Sequence, residues 1–233
     1  MLILALDTTT RAGSVAVVRD DTVLALVPGD AGRTHGERLP GELAMALDLA
    51  GVRRADLDLL TVASGPGAFT GLRIGLAAMQ GLAMALGRPV VGVSALDALA
   101  YLARLEPVEW VAPWMDAQRG EVSASLHRRV PHALVEAPVT GSPEALLEAW
   151  RPRLDGQTAL FLGDAAVRDA ALIARVGAGQ WTARAPEPLA PAIAHLGREM
   201  AAAGHTGSPH ALEPVYVRRP DVEVAKARRH THD

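Results

Sequence analysis

The sequence predicts an α/β protein of two similar-sized lobes. Strands come first in the chain, helices and strands then alternate, and the same mixture repeats in the second half. The chain has 233 residues, which suits one large domain or two small ones, and 49% of them are hydrophobic. A chain of this length can bury most of the apolar surface that it exposes when unfolded.

The first lobe is predicted over residues 1–105 and opens with three strands, over 2–7, 14–18 and 22–27. Thr34 and Glu37 have the spacing of a capping box at the start of a helix that Gly51 ends. The remaining predicted elements of this lobe are a strand over 58–64, a helix from the glycine-rich segment to about Leu86, and a strand over 89–93.

The second lobe is predicted over residues 106–212, after a linker around Glu106. Its predicted strands cover 111–115, 121–126, 133–139 and 159–162, and its predicted helices cover 144–150, 165–176 and 193–203. Residues 180–191 contain three prolines and are predicted to be a loop. The segment 213–220 is predicted to return to the first lobe, and the polar tail 221–233 to be disordered.

Composition excludes several classes of function. The net charge of −3 gives no global basic field for nucleic acid, and the absence of cysteine excludes disulfides, thiolate metal sites and cysteine nucleophiles. No run approaches 18 consecutive apolar residues, so we expect no membrane span and a cytoplasmic protein. The histidines lack metal-ligand spacing, and we expect no metal site.

The first candidate site is Asp7 with Thr8 and Thr9, where the first strand ends. A carboxylate at the end of a central strand, beside hydroxyl groups, could hold a metal-bound phosphate. The alternative is that the threonines cap a turn and that Asp7 accepts hydrogen bonds from the local backbone. Taken alone, this pattern favours the alternative.

The second candidate is the segment SGPGAFTGLRIG, which contains Gly65, Gly67, Gly71 and Gly75. These glycines could form an anion nest at a helix N-terminus, but neither the Walker pattern nor the dinucleotide pattern is present. Glycine costs about 1 kcal/mol inside a helix and needs a packing reason there. The spacing therefore favours close approach of a second helix over phosphate binding.

One face of the following helix is expected to be covered by a partner. Arg73, Ala77, Gln80 and Met84 share this face at helical spacing, in a helix that is apolar almost all round. The predicted partner-binding residues are Gly67, Phe69, Gly71, Arg73, Ala77, Gln80, Gly81 and Met84.

The third candidate is the turn MDAQRGEVS, where Asp116, Arg119 and Glu121 bracket a tight connection between two strands. These residues are candidates for an assembly or ligand contact. The alternative is a hairpin with a surface ion pair, which contributes little to stability.

Five segments match one family in order along the chain: ILALDTTT, THGERLP, GPGAFTGLRIG, MDAQRGEV and PVYVR, which ends at Arg218. The chain thereby resembles the bacterial TsaB family, formerly called YeaZ. The resemblance implies a two-lobed actin-like fold of the ASKHA and RNase H-like type. Many members have arginine and tyrosine where this chain has Gln118 and Ser123, so the role of that arginine is open here, with Arg119 as a substitute.

The resemblance also implies a noncatalytic scaffold that needs no cofactor. Such a subunit binds TsaD, which attaches threonylcarbamoyl to the adenosine beside the anticodon of tRNAs, and the assembly recruits the ATPase TsaE. Older names call such proteins glycopeptidase-like, from similarity to TsaD. The family implies that one helical face serves either TsaD or a homodimer, and that contact with tRNA is indirect.

Two other functions stay open from the residues. The first is an actin-like kinase or ATPase, although the second lobe offers only LGDAA and VGAGQ as glycine-rich candidates for an adenosine site. The second is a metalloprotease, which would need metal ligands that the sequence lacks.

Overall fold

The computed structural model describes residues 1–217, so the predictions for Arg218 and for the tail 221–233 lie outside the described residues. The strands are β1 Leu2–Asp7, β2 Ser14–Arg19, β3 Thr22–Pro28, β4 Leu59–Gly65, β5 Val90–Ser94, β6 Trp110–Asp116, β7 Val122–Arg128, β8 Ala133–Gly141, β9 Ala159–Leu162 and β10 Trp181–Arg184. The helices are α1 His35–Ala50, α2 Phe69–Leu86, α3 Ala95–Leu102, α4 Pro143–Leu154, α5 Asp164–Arg168, α6 Ala170–Val176 and α7 Ala190–Ala202.

Two mixed five-stranded sheets carry the fold, with strand orders β3-β2-β1-β4-β5 and β10-β9-β6-β7-β8. In the first sheet, β1 pairs antiparallel with β2 and parallel with β4. In the second, β6 pairs antiparallel with β7 and parallel with β9. The two sheets therefore repeat one topology, and the predicted two-lobed α/β fold is confirmed.

Helix α1 has the ends that the sequence predicts. The Thr34 N–H donates to the Glu37 carboxylate at 2.9 Å, which satisfies one of the donors left free at a helix start. Gly51 ends the helix with φ of 64°, a left-handed conformation that glycine adopts without strain. Both signals depend on residues close in sequence, which is why the sequence alone reveals them.

Three secondary-structure predictions were wrong. Helix α3 was not predicted, because all its residues except Asp97 are apolar and so show no periodic pattern. Strand β10 lies in the predicted loop 180–191, where it gains its partner β9 only in the fold. The predicted helix 165–176 is divided into α5 and α6 at Asp169, whose side chain accepts a hydrogen bond from Trp114 Nε1 at 2.9 Å.

Helix α7 lies in the predicted second lobe but packs on the first sheet. The Ala190 N–H donates to Ser14 Oγ at 3.0 Å, and Arg198 pairs with Asp21 at 2.5 Å. Gly197 allows this packing, because a Cβ added there would lie 2.9 Å from Thr61 Cβ. The helix thus ties the two halves of the chain together, while the predicted lobe boundaries stay a prediction.

Helix α2 packs its buried side, which includes Leu72, Leu76 and Met79, in the first-lobe core. Among residues 1–217, it is a helix long and apolar enough to cross a membrane by length and composition. Core helices of soluble proteins pass the same test, so this property alone does not indicate a membrane protein.

Candidate functional site

A cleft of about 970 Å³ lies between the two sheets, where the carboxyl ends of β1, β4, β6 and β9 meet. Ligands of open α/β sheets commonly bind at such strand ends. Its lining includes Thr9, Arg11 and the segments 31–35 and 66–71 from the first lobe, Arg119 and Asp164 from the second, and residues 215–217 near the C-terminus. Of the predicted candidate residues, the cleft lining includes Thr9, Gly67, Phe69, Gly71, Asp116 and Arg119.

The glycine-rich segment is approached by the chain's own β1–β2 turn. A Cβ added to Gly67 would collide with the side chain of Thr9, and one added to Gly75 would collide with Thr8 Oγ1. At Gly71, it would lie 2.5 Å from the Thr8 carbonyl oxygen. Gly71 is buried and the Thr8–Thr9 turn fills the space beside it, so its role in partner binding stays a prediction that this geometry does not favour.

Asp7 is buried and its oxygens are occupied by the same turn. Its carboxylate accepts hydrogen bonds from the Thr9 N–H at 2.8 Å, Thr9 Oγ1 at 2.5 Å and Thr10 Oγ1 at 2.9 Å. Burial raises the pKa of Asp7, and the hydrogen bonds from Thr9 partly offset that rise. This geometry favours the turn-capping alternative, and a phosphate-binding role for Asp7, Thr8 and Thr9 stays a prediction.

Helix α1 braces the turn through a pair of residues that sequence reasoning missed. Arg38 Nη2 donates to His35 Nδ1 at 2.8 Å, so the His35 proton lies on Nε2, which donates to the Thr10 carbonyl at 3.1 Å. Burial, and secondarily the charge of Arg38, lower the pKa of His35. Both residues belong to the motif THGERLP, beside the capping box of Thr34 and Glu37, and nothing in their spacing indicates the contact with the turn.

The predicted partner face of α2 is largely exposed. Arg73 and Ala77 are exposed, Gln80 is half-buried, and the side chain of Met84 is 56% exposed. Gly81 is also exposed, and no atom of the described part of the chain lies within 4 Å of a Cβ added there. A face of small residues therefore remains uncovered along the middle of α2.

Residues 207–217, here called the C-terminal strap, run along one side of this face. Gln80 Nε2 donates to the carbonyls of Pro209 and Leu212, each at 2.9 Å. Tyr216 stacks on Phe69 with ring centroids 5.6 Å apart and accepts a hydrogen bond from Arg73 Nε at 3.1 Å. Arg73 and Gln80 were predicted as partner contacts, but each already holds the strap.

The turn between β6 and β7 is fixed from the second lobe. Asp116 pairs with Arg168 at 2.7 Å, and Arg168 also pairs with Asp169 at 2.8 Å. Gln118 and Arg119 have φ of 66° and 55°, left-handed values that side chains other than glycine rarely adopt. The turn places Gln118 and Arg119 in the cleft lining, and Glu121 follows as it leads into β7.

Ser123, the second departure from the family pattern, also lines the cleft, and its hydroxyl lies 2.9 Å from Thr140 Oγ1. Within residues 1–217, no three His, Asp or Glu side chains converge in the manner of metal ligands. The described part of the cleft therefore offers hydroxyl, amide, imidazole and guanidinium groups and the carboxylates of Asp116 and Asp164, without a cluster of three metal ligands.

Comparison with known proteins places this geometry in a family. Residues 23–147 match the family model described as TsaD, tRNA N6-adenosine threonylcarbamoyltransferase. The tRNA threonylcarbamoyladenosine biosynthesis protein TsaB of Bacillus subtilis is 31% identical, over 96% of this chain and 97% of its own length.

Solved structures agree with the sequence relatives. YeaZ from Pseudomonas aeruginosa has a TM-score of 0.75 and 30% identity, over 92% of this chain and 99% of its own. Component A of the (R)-2-hydroxyglutaryl-CoA dehydratase of Acidaminococcus fermentans, with a TM-score of 0.51 and 11% identity over 87% of this chain and 99% of its own, shares the actin-like fold alone. The chain belongs to the TsaB family, also named YeaZ, of tRNA threonylcarbamoyladenosine biosynthesis proteins.

Proposed function

We propose that this chain is a noncatalytic subunit that binds a TsaD-like catalytic subunit during transfer of threonylcarbamoyl to the adenosine beside the anticodon of tRNAs. The observation that carries the proposal is the uncovered face of small residues on α2, in a chain of the TsaB family. The match of residues 23–147 to the TsaD family model also indicates that a TsaD-like partner shares much of this fold.

Gly81 gives the clearest reason to expect a partner on α2. A glycine inside a helix costs about 1 kcal/mol relative to alanine, so its presence calls for close packing. Among residues 1–217, nothing lies within 4 Å of a Cβ added at Gly81, so the described fold does not supply that packing. Exposed Ala77 lies one helical turn before it, and the two positions allow a second helix to approach closely.

Helix α1 extends the apolar surface beyond the residues that the sequence pointed to. The side chains of Met45 and Leu49 are 53% and 65% exposed on its outer side. Large exposed apolar side chains at helical spacing are typical of protein contacts. The proposed docking region therefore centres on Ala77, Gly81 and Met84 of α2, with α1 beside it.

The noncatalytic part of the proposal rests on the β1–β2 turn. The oxygens of Asp7 accept hydrogen bonds within the turn, and Thr8 and Thr9 fill the space beside Gly67, Gly71 and Gly75. The arrangement therefore leaves no open cradle for a phosphate among these residues.

An actin-like kinase or ATPase is the second candidate, favoured by the size of the cleft and by Arg11, Arg33 and Arg119 in its lining. Titration with ATP, followed by a hydrolysis assay on the isolated chain, separates the two functions. We expect no steady ATP turnover. Turnover that is abolished by Asp7→Ala would overturn the noncatalytic assignment.

The wider assembly follows from the same proposal. It includes a TsaE-like ATPase recruited through the complex, indirect contact with tRNA, a cytoplasmic location, and a homodimer through the α2 face when the partner is absent. Co-purification with the TsaD-like protein of the same organism is the direct test. A stable complex is expected, and separate elution of the two proteins at micromolar concentrations would contradict the proposal.

A further inference from the structure

Arg38 is a buried arginine whose two terminal nitrogens make several hydrogen bonds. It is 5% exposed, and its Nη1 donates to Glu42 at 2.5 Å. Its Nη2 donates to the carbonyls of Ala12 and Arg11 and to His35 Nδ1. Because a guanidinium presents its donors in a rigid fork, these contacts fix the turn relative to α1 in more than one direction.

Gly29 makes room for this guanidinium, because a Cβ added there would collide with Arg38 Nη1. Gly13 makes room for the imidazole beside it: a Cβ added there would lie 2.6 Å from the Asp7 carbonyl oxygen and 2.9 Å from His35 Cε1. The segment after β3 therefore packs against Arg38, and the β1–β2 turn packs against His35.

The β1–β2 turn also contacts the start of α2. The Ala68 N–H donates to the Thr9 carbonyl at 3.1 Å, just before α2 begins. A Cβ added to Gly71 would lie 2.5 Å from the Thr8 carbonyl and 2.9 Å from His35 Cδ2, so both groups pack directly on the helix backbone. Arg38, His35 and the turn thus form one connected unit between the N-terminal ends of α1 and α2.

Farther along the two helices, a groove of about 550 Å³ is lined by Leu43, Leu47 and Asp48 of α1 and by Leu82 of α2. Leu43, Leu47 and Leu82 also belong to the core cluster of the first lobe, so the two helices stay packed together beyond the groove. The contacts around Arg38 lie at the N-terminal ends of both helices, where a small rotation would move Met84 and the rest of the docking region.

We propose that Arg38 is a positioning residue, which sets the angle between α1 and α2 and thereby the shape of the surface that the partner binds. This inference rests on the proposed function for the identity of the partner. The effect of Arg38 on the angle between the helices can be tested without the partner. One experiment measures that angle and a second measures partner affinity, so failure of this inference is distinguished from failure of the proposed function.

The first test measures the distance between the helices. The chain has no cysteine, so Leu49→Cys with Met84→Cys gives two exposed spin-label sites, one on each helix, without competing thiols. Pulsed electron paramagnetic resonance is expected to show one narrow distance distribution with Arg38 present. Arg38→Lys keeps the positive charge but loses the planar guanidinium with its several donors. This variant is expected to broaden or shift the distance distribution. Arg53→Lys, in an exposed ion pair with Asp56, is the matched control and leaves it unchanged.

A second variant covers the case in which Arg38→Lys does not fold. Glu42→Gln keeps Arg38 and removes the carboxylate that orients Nη1, so it is expected to broaden the distribution to a smaller extent. A distribution that superimposes on wild type in a folded Arg38→Lys variant, or in Glu42→Gln when Arg38→Lys is unfolded, would overturn the inference.

The second test measures partner affinity on unlabelled protein. Arg38→Lys is expected to weaken binding of the TsaD-like subunit at least tenfold, while its circular dichroism spectrum stays that of the wild type and Arg53→Lys binds normally. Unchanged affinity of a folded Arg38→Lys variant would overturn the inference. A wild-type chain that fails to bind would instead overturn the proposed function, and the distance measurement would then decide on the helices alone.

Discussion

At the residue scale, the glycines of α2 differ in what surrounds them. Gly71 is buried against the Thr8 carbonyl and His35, whereas Gly81 is exposed, and none of residues 1–217 lies within 4 Å of a Cβ added there. The same residue type therefore serves an intramolecular contact at one position and, in our proposal, an intermolecular contact at the other. The sequence shows two glycines in one helix, and the residue type alone does not say which of them packs within the chain.

This difference predicts stability changes of opposite sign. Gly71→Ala places a methyl group 2.5 Å from a backbone oxygen, and we expect a loss of about 2 kcal/mol or more in the free energy of unfolding. Gly81→Ala removes the conformational cost of glycine and is expected to gain about 0.5–1 kcal/mol. Urea unfolding of both variants measures the two changes. Equal losses at both positions would show that Gly81 is packed within the chain.

A second residue-scale prediction concerns His127, a buried side chain of β7. Its Nε2 lies 2.9 Å from Ser125 Oγ, and burial, with the neighbouring His132, lowers its pKa to about 4. Because this folded pKa lies below the unfolded value, the unfolded chain binds more protons at intermediate pH, and stability falls as pH drops from about 6.5 towards 4. The loss attributable to His127 is on the order of 3 kcal/mol at the lower end.

The measurement is the difference in unfolding free energy between wild type and His127→Gln across that pH range. Glutamine does not titrate and can still accept or donate a hydrogen bond, so the difference should shrink steadily as the pH falls. The nearby Asp97 remains in both proteins, and its own titration largely cancels from the difference. A difference in unfolding free energy that does not vary with pH would contradict the lowered pKa of His127.

At the element scale, local signals were readable from the sequence and tertiary ones were not. The capping box of Thr34 and Glu37 and the end at Gly51 involve neighbouring residues, and both were predicted correctly. Strand β10 acquires its pairing only beside β9, and α7 finds the first sheet through Ser14 and Thr61, far away in the sequence. No periodic pattern in the sequence carries that information.

In the candidate site too, local features were predicted from the sequence and tertiary contacts were not. The sequence correctly indicated that an exposed face on α2 includes Ala77 and Met84, because helical spacing determines which residues share a face. The sequence predicted that residues 213–220 return to the first lobe, but it did not reveal the Arg38 contacts or the hydrogen bonds from Gln80 to the strap, since these join segments that only the fold brings together. Gln80 was therefore read as a partner contact, although its side chain holds the strap.

The strap gives an element-scale prediction. Gln80→Ala removes both hydrogen bonds to the carbonyls of Pro209 and Leu212, and we expect a loss of about 2 kcal/mol or less in unfolding free energy. The Val215 N–H, which donates to the Ser64 carbonyl at 2.7 Å, should then exchange faster with deuterium. Gln180→Ala, at an exposed position of the second lobe, is the control. Unchanged exchange at Val215 would show that Gln80 does not hold the strap.

At the scale of the whole molecule, one topology appears twice and the two copies share a core. Ile3 and Val91 of the first sheet and Val111 of the second belong to one buried cluster, together with Ile193 of α7. A shared core favours a fixed relation between the sheets over independent motion. Such a rigid body is well suited to present α1 and α2 to a partner, which is consistent with a subunit whose role is binding.

The proposal that the exposed face of α2 binds the TsaD-like subunit is tested most directly by the affinity of the Ala77→Arg variant. Isothermal titration calorimetry measures this affinity. Ala77 is exposed, so the variant should fold, and a charge forced into a desolvated contact should weaken binding about a hundredfold or more. Val167→Arg, at a position 53% exposed on α5, is the matched control and should bind as wild type does. A folded Ala77→Arg variant that binds with wild-type affinity would place the interface elsewhere and contradict the proposed function of α2.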